Sequence, residues 1–280
     1  MDRRTCGNRA GVATRGRAAF TLVELLVVII IIAILAALAV PAVMQATVRA
    51  QNARIKTEID MLHQAIMQYK NEYGSFPPAV DFDAAGNPGR VNKHIQRIFP
   101  RVPAAFLLNN LVAGQMAPVN ALVGWLRGYS DDPTNPMGIV SGSGGGQSLP
   151  GVTKKKLFDF DEARVTALAA GAQFAPPNKP GSPYIYIDSA NYANLPYLAA
   201  SLGVAGAHFD PPKPLPTPPA GAPTAWYSTN VNFPSATTQK FANADTFQII
   251  CAGRDEKFGT DDDLSNFWPG TRKDYLDSLK

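Results

Sequence analysis

Residues 20–43 read FTLVELLVVIIIIAILAALAVPAV, an apolar run holding one ionisable side chain, Glu24, near its start. No charge follows between Leu25 and Val43. At about 1.5 Å rise per residue that stretch makes a helix about 28 Å long, close to a hydrocarbon core of roughly 30 Å. A membrane-spanning helix over about residues 22–43 is the reading. Its orientation follows from the flank: Arg3, Arg4, Arg9, Arg15 and Arg17 precede it, and such basic residues stay on the cytoplasmic side. The bulk of the chain is therefore expected outside the cytoplasm, behind a single pass of the cytoplasmic membrane. An unpaired charge in such a helix costs roughly 2.5–3.5 kcal/mol at mid-bilayer and less near the interface, so whatever neutralises Glu24 is a functional question.

The basic leader, the Phe20-Thr21-Leu22-Val23-Glu24 start, the long apolar run and Pro41 behind it resemble the N-termini of type IV pilins and of the pseudopilins of type II secretion systems. The resemblance covers roughly the first 55 residues. It implies cleavage between Ala19 and Phe20 by a prepilin peptidase that also methylates the new amine of Phe20. Ala19 stands where the family usually has Gly, and is small enough for a tight protease site. The cut would place a positive amine four residues from Glu24. In a low-dielectric helix bundle the amine of a neighbouring subunit attracts that carboxylate far more strongly than in water. Glu24 is thus expected to set the axial register of subunits during assembly, and Pro41 to kink or loosen the helix as they pack. An ordinary signal peptide is the competing reading, because Ala37-Leu38-Ala39 forms an A-x-A pattern. The length of the apolar run and the position of Glu24 speak against it.

Past Pro41 the pattern becomes amphipathic without a break signal. Ile55, Ile59, Leu62, Ile66, Tyr69 and Tyr73 recur at helical spacing, with Arg54, Lys56, Glu58, Asp60 and Lys70 on other faces. Gly74, with Pro77 and Pro78, ends the helix. The expected organisation is a cleaved leader at 1–19, a spine helix at 20–73 in a membrane half and an amphipathic half, and a globular head at 74–280. The stretch Tyr73-Gly74-Ser75-Phe76-Pro77 also resembles the junction where the heads of major pseudopilins begin. Short helices are predicted over Ile95–Phe99, Ala104–Val112 and Val119–Leu126, and strands over Tyr184–Asp188 and Phe247–Cys251. Leu157–Phe160 and Ala225–Ser228 are weaker strand candidates. Gly142–Gly146 reads as a turn and Pro211–Pro223 as an extended loop. The fold class is α+β: a long helical spine packed on a head with a small antiparallel sheet, extra short helices and long loops.

The net charge of +4 belongs to the leader. Without residues 1–19, which carry the five arginines and Asp2, basic and acidic residues balance at 21 each. Basicity is thus a targeting feature and gives no argument for nucleic acid. Lys154, Lys155 and Lys156 read as a solvated loop. Cys6 lies in the leader, leaving Cys251 as a small buried apolar residue with no partner for a disulfide. His63, His94 and His208 are scattered, with His63 expected on a polar or subunit-contact face. No Gly-x-Ser-x-Gly, His-Glu-x-x-His or Cys-x-x-Cys motif is present, and an enzyme is not expected.

One cluster downstream has chemical potential, the run GRDEKFGTDDD at residues 253–263. Carboxylates converge there in a short glycine-containing loop, and calcium takes six to eight oxygens from such groups and from backbone carbonyls. The loop resembles the C-terminal calcium loop of major pseudopilins. By that resemblance Asp255, Asp261 and Asp263 are the candidate ligands, with Asp262 turned away. The alternative is a solvated acidic turn eased by Arg254 and Lys257. The resemblance implies a structural subunit of a pilin-like filament, most readily a type II secretion pseudopilin. Its implied partners are the membrane, the prepilin peptidase, copies of itself, other pilin-like subunits and the assembly machinery. A type IV pilus subunit, or a membrane-anchored periplasmic enzyme or binding protein borrowing the anchor, are the alternatives.

Overall fold

The computed structural model describes residues 21–79, 89–103, 116–137, 154–168, 171–177, 179, 181–189, 242–243 and 245–278. The expected leader and cut at Ala19 and Phe20, the helix over 104–112, the turn at 142–146, the proline-rich loop, the strand over 225–228 and His208 lie outside them. The chain divides into two compact units, residues 1–50 and 51–280. Helix α1 (Leu22–Tyr73) contributes to both.

In the first unit α1 is apolar all round and exposed, from Leu22 to Met44. It is the one helix among the described residues long and apolar enough to cross a membrane. The helix continues through Pro41, although the missing N–H leaves one carbonyl of the preceding turn without its usual donor.

In the second unit α1 buries the stripe foreseen from its spacing: Ile55, Ile59, Leu62, Ile66 and Tyr69, with Tyr73 partly covered. Glu58 departs from the expectation: it sits inside, 8% exposed. The cause is a partner far along the chain, described below. Gly74 closes the helix in a left-handed conformation, φ 79°, with its N–H on the Lys70 carbonyl at 2.7 Å. That geometry disfavours any residue with a Cβ and is a common helix end.

Helix α2 (Gly89–Ile98) follows, a turn and a half longer at its start than the predicted 95–99. It packs Val91, His94 and Ile95 inward. Helix α3 (Ala121–Leu126) is almost wholly buried, and the preceding residues 116–120 form turns where helix was expected from Val119. Strands β1 (Tyr129–Ser130) and β2 (Lys154–Lys155) pair antiparallel. Part of the lysine run is therefore strand. Leu157–Phe160, predicted as strand, is irregular: the Leu157 and Phe158 N–H groups both turn back to the Leu126 carbonyl, and the aromatic side chains seal the core.

After a short 3-10 turn (Glu162–Arg164), strands β3 (Val165–Leu168) and β4 (Gly171–Phe174) form a hairpin that the sequence reading missed. The central sheet consists of β5 (Ile185–Asp188), β6 (Phe247–Cys251) and β7 (Leu264–Ser265), all antiparallel. Its register pairs Ile185 with Ile250 and Cys251 with Leu264. Every residue of these three strands is buried, the polar Asp188, Gln248 and Ser265 included, as in a sheet covered on both faces. Helix α4 (Arg272–Ser278) ends the described chain. The architecture is α+β, a long N-terminal helix followed by short helices and small antiparallel sheets.

Candidate functional site

The first turn of α1 is built by its own sequence. The Glu24 N–H donates to the Thr21 hydroxyl at 3.2 Å, and the Glu24 carboxylate accepts from the Thr21 N–H at 3.1 Å and the Thr21 hydroxyl at 3.0 Å. This is a capping box: Thr21 is the cap and Glu24 the third helical residue, each satisfying a backbone donor that the helix start leaves open. Glu24 thus has a partner within its own chain, beyond any amine from a neighbour. Thr21 is the capping residue that sequence reasoning passed over. The signal was present, since Thr-x-x-Glu ahead of an apolar run is the capping-box pattern. Ala19 and Phe20 lie outside the described residues, and Pro41 lies within the exposed helix.

With that geometry in view, the comparisons with known proteins add one finding. Residues 14–40 match the family model described as the prokaryotic N-terminal methylation motif. The chain carries a prepilin-type N-terminus. No curated protein and no solved structure matches it. The motif and the apolar helix are consistent with a pilin or pseudopilin anchored by a single pass of the inner membrane. They imply processing by prepilin peptidase and assembly into pilin-like filaments.

The second candidate, the loop at 253–263, folds differently from the expectation. Asp262 turns inward: its carboxylate accepts the N–H groups of Arg254 and, at 3.2 Å, Asp255, and lies 2.8 Å from the Thr260 hydroxyl. Gly253 makes this possible, because a Cβ there would stand 2.4 Å from the Asp262 carboxyl carbon and 2.2 Å from its carbonyl oxygen. Asp255 closes a local turn onto the Lys257 N–H at 2.9 Å. Asp263 points into the protein, 1% exposed, and accepts from the Gly259 N–H at 2.7 Å. Burial pushes its carboxyl up to about 8, against the Gly259 bond and the Arg272 charge, which favour ionisation. Asp255 and Asp261 line one open pocket with Gly259, Thr260 and Asp262, whereas Asp263 turns away into the core. Among the described residues no group of three or more His, Cys, Asp or Glu side chains is arranged to hold a metal ion. Most carboxylate oxygens of the loop that take a defined contact receive protein donors. The exception is Asp263 Oδ1, which is buried with no hydrogen-bond partner in the structure.

The polar groups that sequence reasoning left scattered serve the core. Arg164 grips the buried Glu58 with both terminal nitrogens, one at 2.9 Å, while its ring-facing side lies 4.5 Å over Phe174. The Tyr184 hydroxyl donates to the same carboxylate at 2.5 Å. A buried acid is tolerated when it is paired and its lone pairs are filled, and Glu58 meets both conditions. His63 is an internal contact: its ring lies 5.0 Å from Phe247, and Nδ1 faces the Asn266 amide at 2.9 Å. Burial lowers its pKa, with Asp60 opposing and Lys56 adding. The His94 Nε2 lies 2.8 Å from the Tyr69 hydroxyl, which in turn receives the Tyr129 hydroxyl at 3.3 Å. Burial first, then Arg97 and Arg90, holds His94 down at about 4. Cys251 is buried and free, its thiol pushed up by burial first and by Asp263 next. Lys155 and Lys156 carry exposed ion pairs with Glu72 at 2.7 Å and Asp159 at 2.8 Å.

Proposed function

We propose that the chain is the precursor of a structural subunit of a type II secretion pseudopilus, trimmed after Ala19 and assembled through its apolar helix. One observation carries the reading. Within and just past the prepilin motif, residues 22–44 of α1 are apolar on every side and exposed, with a single carboxylate fixed in the first turn. A soluble protein has no use for such a surface. In lipid or in a bundle of identical helices it is covered. Moving the helix from lipid to a bundle changes little apolar exposure, so side-chain packing and the pairing of Glu24 with an amine supply specificity and an assembly motor supplies work. The Tyr73 to Pro78 junction favours a secretion pseudopilin over an adhesive pilus subunit.

The tests are direct. N-terminal sequencing of the mature protein is expected to begin at methylated Phe20; a start at Val40 identifies a signal peptide and removes the proposal. Glu24→Val is expected to insert in the membrane at wild-type level while its recovery in sheared filaments falls to background; normal incorporation refutes the role of the carboxylate. Deleting the gene is expected to trap secreted enzymes inside the cell. Loss of surface pili with secretion intact indicates a pilus subunit instead.

A further inference from the structure

We propose that the 253–263 loop is held closed by the chain's own cations, Lys179 and Arg272, and needs no bound divalent metal to close. Two elements far apart in sequence reach it from different sides. Lys179, on the segment ahead of β5, puts its ammonium on the Gly253 carbonyl, and nearby Ser182 donates to the Glu256 carbonyl at 3.0 Å. Arg272, the first residue of α4, puts a guanidinium nitrogen on the Gly259 carbonyl at 3.1 Å. Its backbone N–H caps the Asp263 carbonyl at 2.8 Å, and that of Lys273 the Asp261 carbonyl at 2.9 Å.

A calcium site in a loop of this kind needs inward backbone carbonyls and several carboxylates around one centre. Here the carbonyls of Gly253 and Gly259 are taken by side-chain cations, and the inward carboxylate of Asp262 is taken by two backbone N–H groups. Asp263 Oδ1 is buried without a hydrogen-bond partner, and the field of the half-buried Arg272 opposes the effect of that burial. The loop therefore carries many acids, yet its closure depends on no ion from solution. This reading is independent of whether the filament is a pseudopilus or a pilus.

The test uses the full chain in detergent micelles. Thermal unfolding in millimolar EDTA and in millimolar calcium chloride is expected to give midpoints within about 1 °C of each other, because a ligand that binds only the native state raises the midpoint and one that does not bind leaves it alone. A larger rise that is specific to calcium over magnesium overturns the proposal. Arg272→Met and Lys179→Met are each expected to lower the midpoint by roughly 3–8 °C in either buffer, the range for losing one or two well-placed charged hydrogen bonds in a domain of this size. Lys273→Met removes an exposed neighbouring cation and is expected to leave the midpoint in place. Equal midpoints for all three variants and the wild type also overturn it.

Discussion

Between Leu22 and Met44, α1 leaves its large apolar side chains in the open, whereas between Ile55 and Tyr69 the same helix hides Ile55, Ile59, Leu62, Ile66 and Tyr69 from solvent. No backbone feature separates the two stretches, since α1 runs unbroken through both. The difference lies in what each face is written to meet. The first stretch is apolar in every direction, a surface for surroundings as greasy as itself. The second restricts its apolar residues to one stripe and places one acid, Glu58, at the stripe's edge, where a single arginine is waiting. One helix thus carries two solubility rules, and substitutions in the two stretches should obey different energetics.

The sharpest break of that contrast is Glu58→Ala. Removing this carboxylate leaves the buried Tyr184 hydroxyl without its acceptor and leaves Arg164 with only Asp161 and the Ala175 carbonyl. A buried pair broken from one side typically costs about 3–5 kcal/mol. Denaturant titration of the detergent-solubilised chain is expected to show that loss. Glu24→Ala, which removes the acid of the other stretch, is expected to leave the same midpoint almost unmoved. Equal costs would mean that Glu58 is no more committed to folding than Glu24.

A second pair sharpens the point with apolar residues. Leu62 is 0% exposed and Leu35 is 61% exposed. Leu62→Ala is expected to destabilise by about 2–5 kcal/mol through lost burial and a residual cavity. Leu35→Ala should stay within about 0.5 kcal/mol, because no protein neighbour is lost. If Leu35→Ala were as costly in the isolated chain, the bare stretch would have an intramolecular partner, and its assignment to lipid or filament would fall.

What could be read ahead of the structure follows the same division. The apolar run, the amphipathic stripe and the strand Phe247–Cys251 were legible because each is a periodic or continuous pattern within a few residues. Glu58 was set off the buried stripe, on another face, because helical spacing alone cannot announce an arginine 106 residues away. The β3–β4 hairpin was missed because Val165–Leu168 and Gly171–Phe174 alternate only weakly. The acidic loop was legible as a loop and illegible as a geometry. That Asp262 turns inward depends on the absence of a Cβ at Gly253, a contact between residues nine positions apart. The Thr21 cap was in plain view, overshadowed by the charge of the residue it caps.

The buried half of the helix also predicts a pH response that the bare half lacks. Tyr69 of α1 contacts His94, whose pKa lies at about 4 in the fold against about 6.5 for an exposed imidazole. The folded state thus resists the proton that the unfolded state accepts. The stability due to neutral His94 is complete above pH 6.5 and is lost as the pH falls from there through 4. Allowing for the solvent that reaches part of the ring, the loss is on the order of 2 kcal/mol. The difference between the unfolding free energies from urea titration at pH 7 and pH 4 is expected to shrink by that amount in His94→Gln. An unchanged difference would place the acid sensitivity in other groups.

The smallest effect bears on the most consequential residue. Glu24→Val removes two things together, a negative charge and half of a capping box, so its failure to assemble would not by itself say which mattered. Thr21→Val separates them. It keeps the carboxylate and the backbone N–H of residue 21 but deletes the hydroxyl that caps the Glu24 N–H and donates to Glu24. Losing such a cap costs about 1 kcal/mol, a roughly fivefold rise in local opening. Hydrogen exchange at the amides of Val23 and Glu24 is expected to quicken by that factor while filament incorporation persists, reduced but present. Incorporation as poor as that of Glu24→Val would mean that the ordered first turn, and not the charge, is what Glu24 supplies to the filament. Unchanged exchange would mean that the box does not hold the helix start. If the expected pattern appears, the carboxylate has two separable duties, the weaker within its own helix and the stronger toward the next.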